Sequence, residues 1–383
     1  MRSADIFELL RRCTVEHDWK QPPGDIAELL RGAPAAEVGN AAAEHGVTNL
    51  VHLSTRGLEI DAELRSLLAT VYHLNLTHHM KVIGELTALD AMLRAAGIPF
   101  MVVKGPVLAE VVYPRNDLRA YGDLDLVVPH GRFGDAISAL LEGGCDIFDR
   151  NWRVIRRELR GQVHMTARFG TSADVHWHLI NRASVRRSFA IDMDAMFERG
   201  RSVSLDGPQV LTLDPCDTLL QLTLHAGLSG AAKLAWLKDI DRAAAEPALD
   251  WDEVVRRARA WRIGEITAVA LRRSADLLGA PVPAEVAPAL AGSRMWQSIV
   301  RGTERLSPLD RPPNRPSLSR SVTKATRRGF AASVGALARR VAQDTSYRAG
   351  LLLGRRRAMA ASGGDESDRM AYFEAVREGR RAA

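Results

Sequence analysis

The chain has 383 residues, 46% apolar and 26% charged, a balance that excludes a disordered or membrane-embedded protein and allows a sizeable core. Its length favours two or three packed units over one. The net charge of +6 is carried mostly by arginine, which suits phosphate contacts without demanding nucleic acid. Cys13, Cys145 and Cys216 are odd in number and far apart, so neither a disulfide framework nor a zinc site of closely spaced pairs is expected, only packed reduced thiols. No run reaches the roughly 18 apolar residues of a spanning helix. The opening residues lack the basic-then-apolar order of a secretion signal, and the expected location is the cytoplasm, with no transmembrane segment.

Residues 1–97 repeat apolar side chains every three or four positions, as in Ile26, Leu29, Leu30 and in Leu64, Leu67, Leu68, Val71, and are read as an N-terminal helical region. The pattern changes after Gly97. Ile98 to Val103 and Leu124 to Val128 are short apolar runs of strand type, the second ended by Pro129. Helical stretches are predicted from Pro106 to about Tyr113 and from Phe133 to Leu141, the latter ended by Gly143-Gly144. Trp152 to Leu179 mixes alternating and β-branched runs, with Ala173 to Trp177 the clearest strand, and adds members to the sheet. Residues 98–213 thus form the α/β core. Asp214-Pro215 is a good helix start, and 214–306 form a C-terminal helical region. Residues 307–383 are a proline-containing linker, Ser307 to Ser317, and a basic helical tail; residues 301–357 hold 14 Arg or Lys against three acids. The expected fold class is α+β, a small mixed sheet flanked by helical regions on both sides.

Asp123-Leu124-Asp125 opens a predicted strand, where side chains two apart share a face and lie about 7 Å apart along the backbone. Two carboxylates so placed can converge on one cation, and Mg2+ draws its oxygen ligands from one or two carboxylates, water and substrate phosphates. An isolated Asp-x-Asp also reads as two exposed acids at a strand end. Without a cation the pair repels, so removing either acid is expected to leave the apo fold as stable as before or slightly more so. Val102-Val103-Lys104-Gly105-Pro106 ends a strand and begins a helix. Its free N–H groups, flexible glycine and lysine suit a phosphate, while the bland reading is an ordinary turn with a solvated lysine. Arg119 either neutralises triphosphate charge or pairs with Asp117. His176 shares a strand face with Asp174, where it contacts phosphate, binds metal or makes a structural hydrogen bond. His225 reads as a core histidine, and Asp239 and Asp241 as a solvated helix face.

Through Lys104-Gly105, Leu108-Ala109, Tyr113, Arg119, Asp123 to Val128 and Asp174-Val175-His176-Trp177, the sequence resembles the uncharacterised nucleotidyltransferase family of the polymerase β-like superfamily. The resemblance runs from about Thr77 to Pro283 and takes in His225 and Leu237-Lys238-Asp239-Ile240. It implies a phosphate-binding turn at Gly105, metal ligands at Asp123 and Asp125, and a third acid at Asp174. Lys104, Gly105, Arg119 and His176 become the nucleotide-binding candidates, Asp123, Asp125 and Asp174 the catalytic and metal-binding ones. The implied cofactor is Mg2+ or Mn2+ and the implied substrate an NTP, ATP or another, whose nucleoside monophosphate passes to an unidentified acceptor. Pro106 departs from the superfamily, which has a serine after the glycine, so a hydroxyl that normally touches phosphate is missing and Lys104 is the candidate to compensate.

Two rivals share the fold. One is a transfer-RNA-modifying nucleotidyltransferase toxin, the other a catalytically silent nucleic-acid-binding protein. The tail bears on both: Val334, Leu337, Ala338 and Val341 make an apolar stripe, and Arg320, Lys324, Arg327, Arg328, Arg339 and Arg340 a positive surface. Such a surface is a solvated face of a docked helix, a contact for an RNA acceptor, or a membrane-surface patch.

Overall fold

A computed structural model describes residues 3–15, 24–307, 309–310, 313, 315–352 (side chains to 343) and 366–379. Parts of the linker from Ser307 to Ser317, the side chain of Arg348, and Arg355 to Arg357 lie outside the described residues. The chain divides into two compact units. One gathers residues 1–79, 108–121 and 215–337 and is helical; the other gathers 80–107, 122–214 and 338–383 and holds the sheet. Among the described residues no helix is long and apolar enough to cross a membrane.

The sheet unit is built on seven described strands: β1 (Met101–Val103), β2 (Leu124–Val127), β3 (Asp146–Ile147), β4 (Gln162–Thr166), β5 (Ser172–His176), β6 (Arg201–Ser204) and β7 (Gln209–Thr212). They lie in the order β3-β4-β5-β2-β1-β7-β6. β2 runs parallel to β5 and β1 parallel to β7, while the other neighbours are antiparallel, so the sheet is mixed as expected. Every residue of β1 and β2 is buried, which marks central strands covered on both faces. β1 is shorter than its apolar run: Pro99 has no N–H for a ladder, and pairing starts only at Met101.

Helix Phe133–Glu142 ends at Gly143, where the sequence places its stop. The stretch after Trp152 is not all strand. Trp152–Glu158 is a helix whose first turn is capped by Asn151, its side chain accepting from the Val154 N–H. The helix Glu366–Arg377, far along the basic tail, belongs to this unit's core. Tyr372 and Phe373 pack edge-on against Phe133, and the Tyr372 hydroxyl donates to the Arg160 carbonyl at 2.6 Å.

The helical unit encloses helices Pro215–Leu228, Leu234–Ala244 and Gly264–Leu278, the first beginning at the proline as expected. Trp296, Val300, Val322, Ala325 and Ala336 close on Val269, with Phe330 and Leu337 against them. The tail therefore docks, but of the expected stripe only Leu337 takes part: Val334, Ala338 and Val341 are exposed, and the seam runs through Phe330, Ala336 and Leu337. Nor is its positive surface intact, for Arg320 and Arg327 are buried. Arg327 donates to the carbonyls of Lys324 and Thr326, closing the helix Leu318–Lys324 at its carbonyl end, and Arg320 packs over Gly230, which has no side chain to obstruct it. All three cysteines are buried, and burial pushes the Cys13 thiol up to about 12.

Candidate functional site

The site begins where β1 ends. The chain must turn from strand into the helical run Gly105–Val112, and it does so with two successive positive φ angles, 53° at Lys104 and 31° at Gly105. Glycine accepts this conformation freely, whereas at lysine it costs roughly 1–2 kcal/mol. The run is wound as a π-helix over Leu108–Val112, with the Tyr113 N–H bonded to the Leu108 carbonyl at 2.9 Å. Val103 pairs with Asp125 across the β1–β2 ladder, and the Lys104 ammonium ion-pairs with Asp125 Oδ2 at 2.9 Å.

Strand register assembles the rest. In the parallel β2–β5 ladder Asp125 stands beside Asp174, and Val127 beside His176. In the antiparallel β4–β5 ladder His164 stands beside Asp174, and Gln162 beside His176. A polar row therefore crosses one sheet face from Asp125 through Asp174 to His164. His176 Nε2 lies 2.9 Å from Asp125 Oδ1; His164 Nδ1 and Gln162 Nε2 each lie 2.7 Å from an oxygen of Asp174. Asp125, Asp174 and His176 each offer a ligand atom within 4.8 Å of the others, the one such metal-competent group among the described residues.

Charge balance is uneven here. Burial works to raise the Asp125 carboxyl, but the Lys104 ammonium and the His176 hydrogen bond hold it well below the usual carboxylate range. Asp123, just ahead of β2, has no hydrogen-bond or ion-pair partner among the described residues. Burial first, and then the negative charges of Asp125 and Asp174, raise its carboxyl above the ordinary value. Three carboxylates thus share one described lysine, an excess of negative charge that a divalent cation would relieve. The donor set fits such a cation in a further way: with Nε2 within hydrogen-bond distance of Asp125, His176 Nδ1 is buried with no hydrogen-bond partner, so the ring's polar capacity is not used up by the protein.

Of the residues singled out in the sequence, Lys104, Gly105, Asp123, Asp125, Asp174 and His176 all belong to the sheet unit and cluster about β1, β2 and β5. The expected indifference of stability to either acid is confined by this geometry to Asp123, because Asp125 is the buried partner of Lys104. Arg119 belongs to the helical unit, and it pairs not with Asp117 but with Asp239, by Nε at 2.8 Å and Nη2 at 3.0 Å. Asp117 takes Arg115 and the Tyr72 hydroxyl instead. Asp239 and Asp241 are accordingly no solvated face: both are buried, Asp239 under Arg119 and Tyr113, Asp241 beside Lys238 at 2.7 Å. His225 stacks edge-on against Trp236. Sequence reasoning missed His164 and Gln162. The signal for them was the alternation of Gln162, Val163, His164, Met165 and Thr166, which sets the polar members on one face.

A model of the uncharacterised nucleotidyltransferase family matches residues 31–279. No curated protein and no solved structure matches the chain. The matched span is more than half of the sequence and contains the Lys104-Gly105 turn, all three clustered carboxylates and His176. The chain therefore belongs to the uncharacterised nucleotidyltransferase family.

Proposed function

We propose that the protein transfers a nucleoside monophosphate from an NTP, ATP or another, to an acceptor hydroxyl, with Mg2+ or Mn2+ as cofactor. The observation that carries this reading is the grouping of Asp123, Asp125, Asp174 and His176 beside the Lys104-Gly105 turn, on a chain of nucleotidyltransferase family. The acceptor oxygen bonds to the α-phosphorus, the bond from that phosphorus to the β-phosphate bridging oxygen breaks, and pyrophosphate leaves with the electron pair. The acceptor proton passes to a carboxylate of the cluster. When bound, the cation supplies Lewis-acid polarisation of the α-phosphate and charge neutralisation at the leaving pyrophosphate.

The protein's own contribution is placement. Asp125 and Asp174, on rigid strands, and Asp123, just ahead of β2, would hold the cation. His164 and Gln162 each occupy one oxygen of Asp174 and so fix its orientation. Lys104 pairs with Asp125 and could give its ammonium to a phosphate oxygen instead. Gly105 leaves room for the phosphate at the turn.

The test is incubation of the purified protein with each labelled NTP, Mg2+ or Mn2+ and a whole-cell extract, followed by size separation of the labelled products. Label should move into one size class, and Asp125→Asn protein should leave it on the nucleotide. No transfer from any NTP with either metal would reject the activity and favour a silent binding protein. Label in a transfer-RNA-sized product would assign the acceptor to RNA, and label in a small product would exclude it.

A further inference from the structure

The strands that carry the acids also carry a nitrogen donor, and it bears on which cation the centre takes. His176 reaches Asp125 Oδ1 at 2.9 Å through Nε2, while Nδ1 is buried without a hydrogen-bond partner. A histidine kept only to orient Asp125 needs one nitrogen and normally finds a protein or water partner for the other when buried. The neighbouring acid is treated differently: both oxygens of Asp174 are held by side chains of β4, so its orientation does not depend on His176. His176 also lies on the same sheet face as the two acids, with a ring nitrogen within 4.8 Å of an oxygen of each.

Resting on the metal-dependent reading above, we propose that His176 is itself a ligand of the resident cation, which makes the centre a mixed nitrogen and oxygen site selective for Mn2+ over Mg2+. Mg2+ is a hard ion that gives up water reluctantly and favours all-oxygen surroundings. Imidazole nitrogen binds first-row transition ions better, and affinity for such a ligand set rises along the series from Mn2+. Replacing the imidazole by an amide oxygen removes that preference while keeping a neutral donor of similar reach.

The experiment is pulsed EPR of the full-length protein loaded with Mn2+ alone, and with Mn2+ plus inorganic pyrophosphate, which contains no nitrogen. Wild-type protein should show hyperfine coupling from a directly bound imidazole nitrogen, His176→Asn should lose it, and His164→Asn should keep it. In parallel titrations, Mn2+ affinity should fall about tenfold in His176→Asn, whereas Mg2+ affinity, read by competition, should change less than about threefold. Thermal melts of each variant establish that it is folded. Mn2+ bound without nitrogen coupling, or coupling that survives in folded His176→Asn, overturns the proposal and leaves the metal-dependent reading standing. Failure of wild-type protein to bind Mn2+ under either condition overturns the proposal, and failure to bind Mg2+ as well overturns the metal-dependent reading.

Discussion

Asp239 in the helical unit and Asp125 in the sheet unit are almost equally buried, at 4% and 2% exposure, and each is bonded to a basic side chain. What separates them is the ratio of acids to lysine and arginine partners. Asp239 accepts from the Tyr113 hydroxyl and from two nitrogens of Arg119, and its neighbour Asp241 has Lys238. Burial alone would lower the Arg119 guanidinium, but the Asp239 carboxylate holds it above its ordinary range. Each acid there has its own base, and the arrangement needs nothing from outside. Around Asp125 three acids draw on Lys104, and a histidine nitrogen is left over. A buried aspartate is therefore evidence of a site only when acids outnumber the lysine and arginine side chains that the protein sets against them.

The largest effect that can break this comparison is loss of activity. Asp125→Asn should lower NTP-dependent labelling by about a thousandfold, the scale on which a single transition-state electrostatic partner acts. Asp239→Asn should lower activity only as far as it lowers the folded fraction. Labelling rates scaled to folded protein decide between them, and full activity in Asp125→Asn would remove the carboxylate from the site.

Stability should rank the two the other way. Taking Asp239 from Arg119 leaves a buried guanidinium uncompensated, at a cost of about 3–5 kcal/mol. Asp239→Leu combined with Arg119→Met should recover much of that, because an apolar pair of similar volume removes both charges. Denaturant midpoints of the single and double variants provide the check. A loss below about 1 kcal/mol for the single change would mean that the pair is not structural.

Much of this contrast was legible before any fold was known, and the reason is local geometry. The period of two along β2 and β5 places Asp123, Asp125, Asp174 and His176 by sequence spacing alone, and Gly105-Pro106 marks the turn. Arg119 and Asp239 lie 120 positions apart, and no periodicity links them. His164 and Gln162 needed the β4–β5 register, which the turn from Ala167 to Thr171 sets. Two misses had signals. The β6–β7 hairpin turns at Asp206-Gly207, both at positive φ, between alternating Val203, Leu205 and Val210, Thr212. In the tail, the aromatic pair Tyr372-Phe373 was a core anchor in a segment whose basic charge drew attention instead. Truncation at Ser317 therefore tests no RNA contact cleanly, since it removes Val322, Ala325, Ala336, Tyr372 and Phe373 from buried cores.

Acidification sharpens the comparison from the helical side. His45 is buried, its Nδ1 accepts from the Leu234 N–H at 3.4 Å, and burial, with the positive charges of Lys233 and Arg320, lowers it to about 4. The unfolded chain regains the ordinary value near 6.5, so between these limits it binds more protons than the folded one. The stability from neutral His45 is complete above about pH 6.5 and is lost as pH falls towards 4, up to about 3 kcal/mol in all. His45→Asn keeps an acceptor and should flatten that slope. An unchanged slope, followed by denaturant midpoints between pH 4 and 7, would show that His45 does not carry it.

The smallest expected effect concerns Asp123, where the sign is the informative part. Its carboxyl is raised above the ordinary 3.8 by burial and by Asp125 and Asp174, so at neutral pH its charge works against the folded apo protein. A raised folded value means that the group's stabilising contribution is complete below about 3.8 and lost as pH rises through the folded value. In chelator, Asp123→Asn should therefore match or exceed wild-type stability at pH 7, by no more than about 1 kcal/mol, and the gap should close as pH falls towards 4. Adding Mn2+ should reverse the order, because an ion that binds only the folded state stabilises it by an amount that grows with the logarithm of its concentration relative to its dissociation constant, and the variant would lack a proposed ligand. Melting curves of both proteins with chelator and with Mn2+ read all of this directly. Clear destabilisation of Asp123→Asn in chelator would mean that Asp123 is satisfied by the protein as Asp239 is, and the excess of acids on which the site rests would shrink to the Asp125–Asp174 pair.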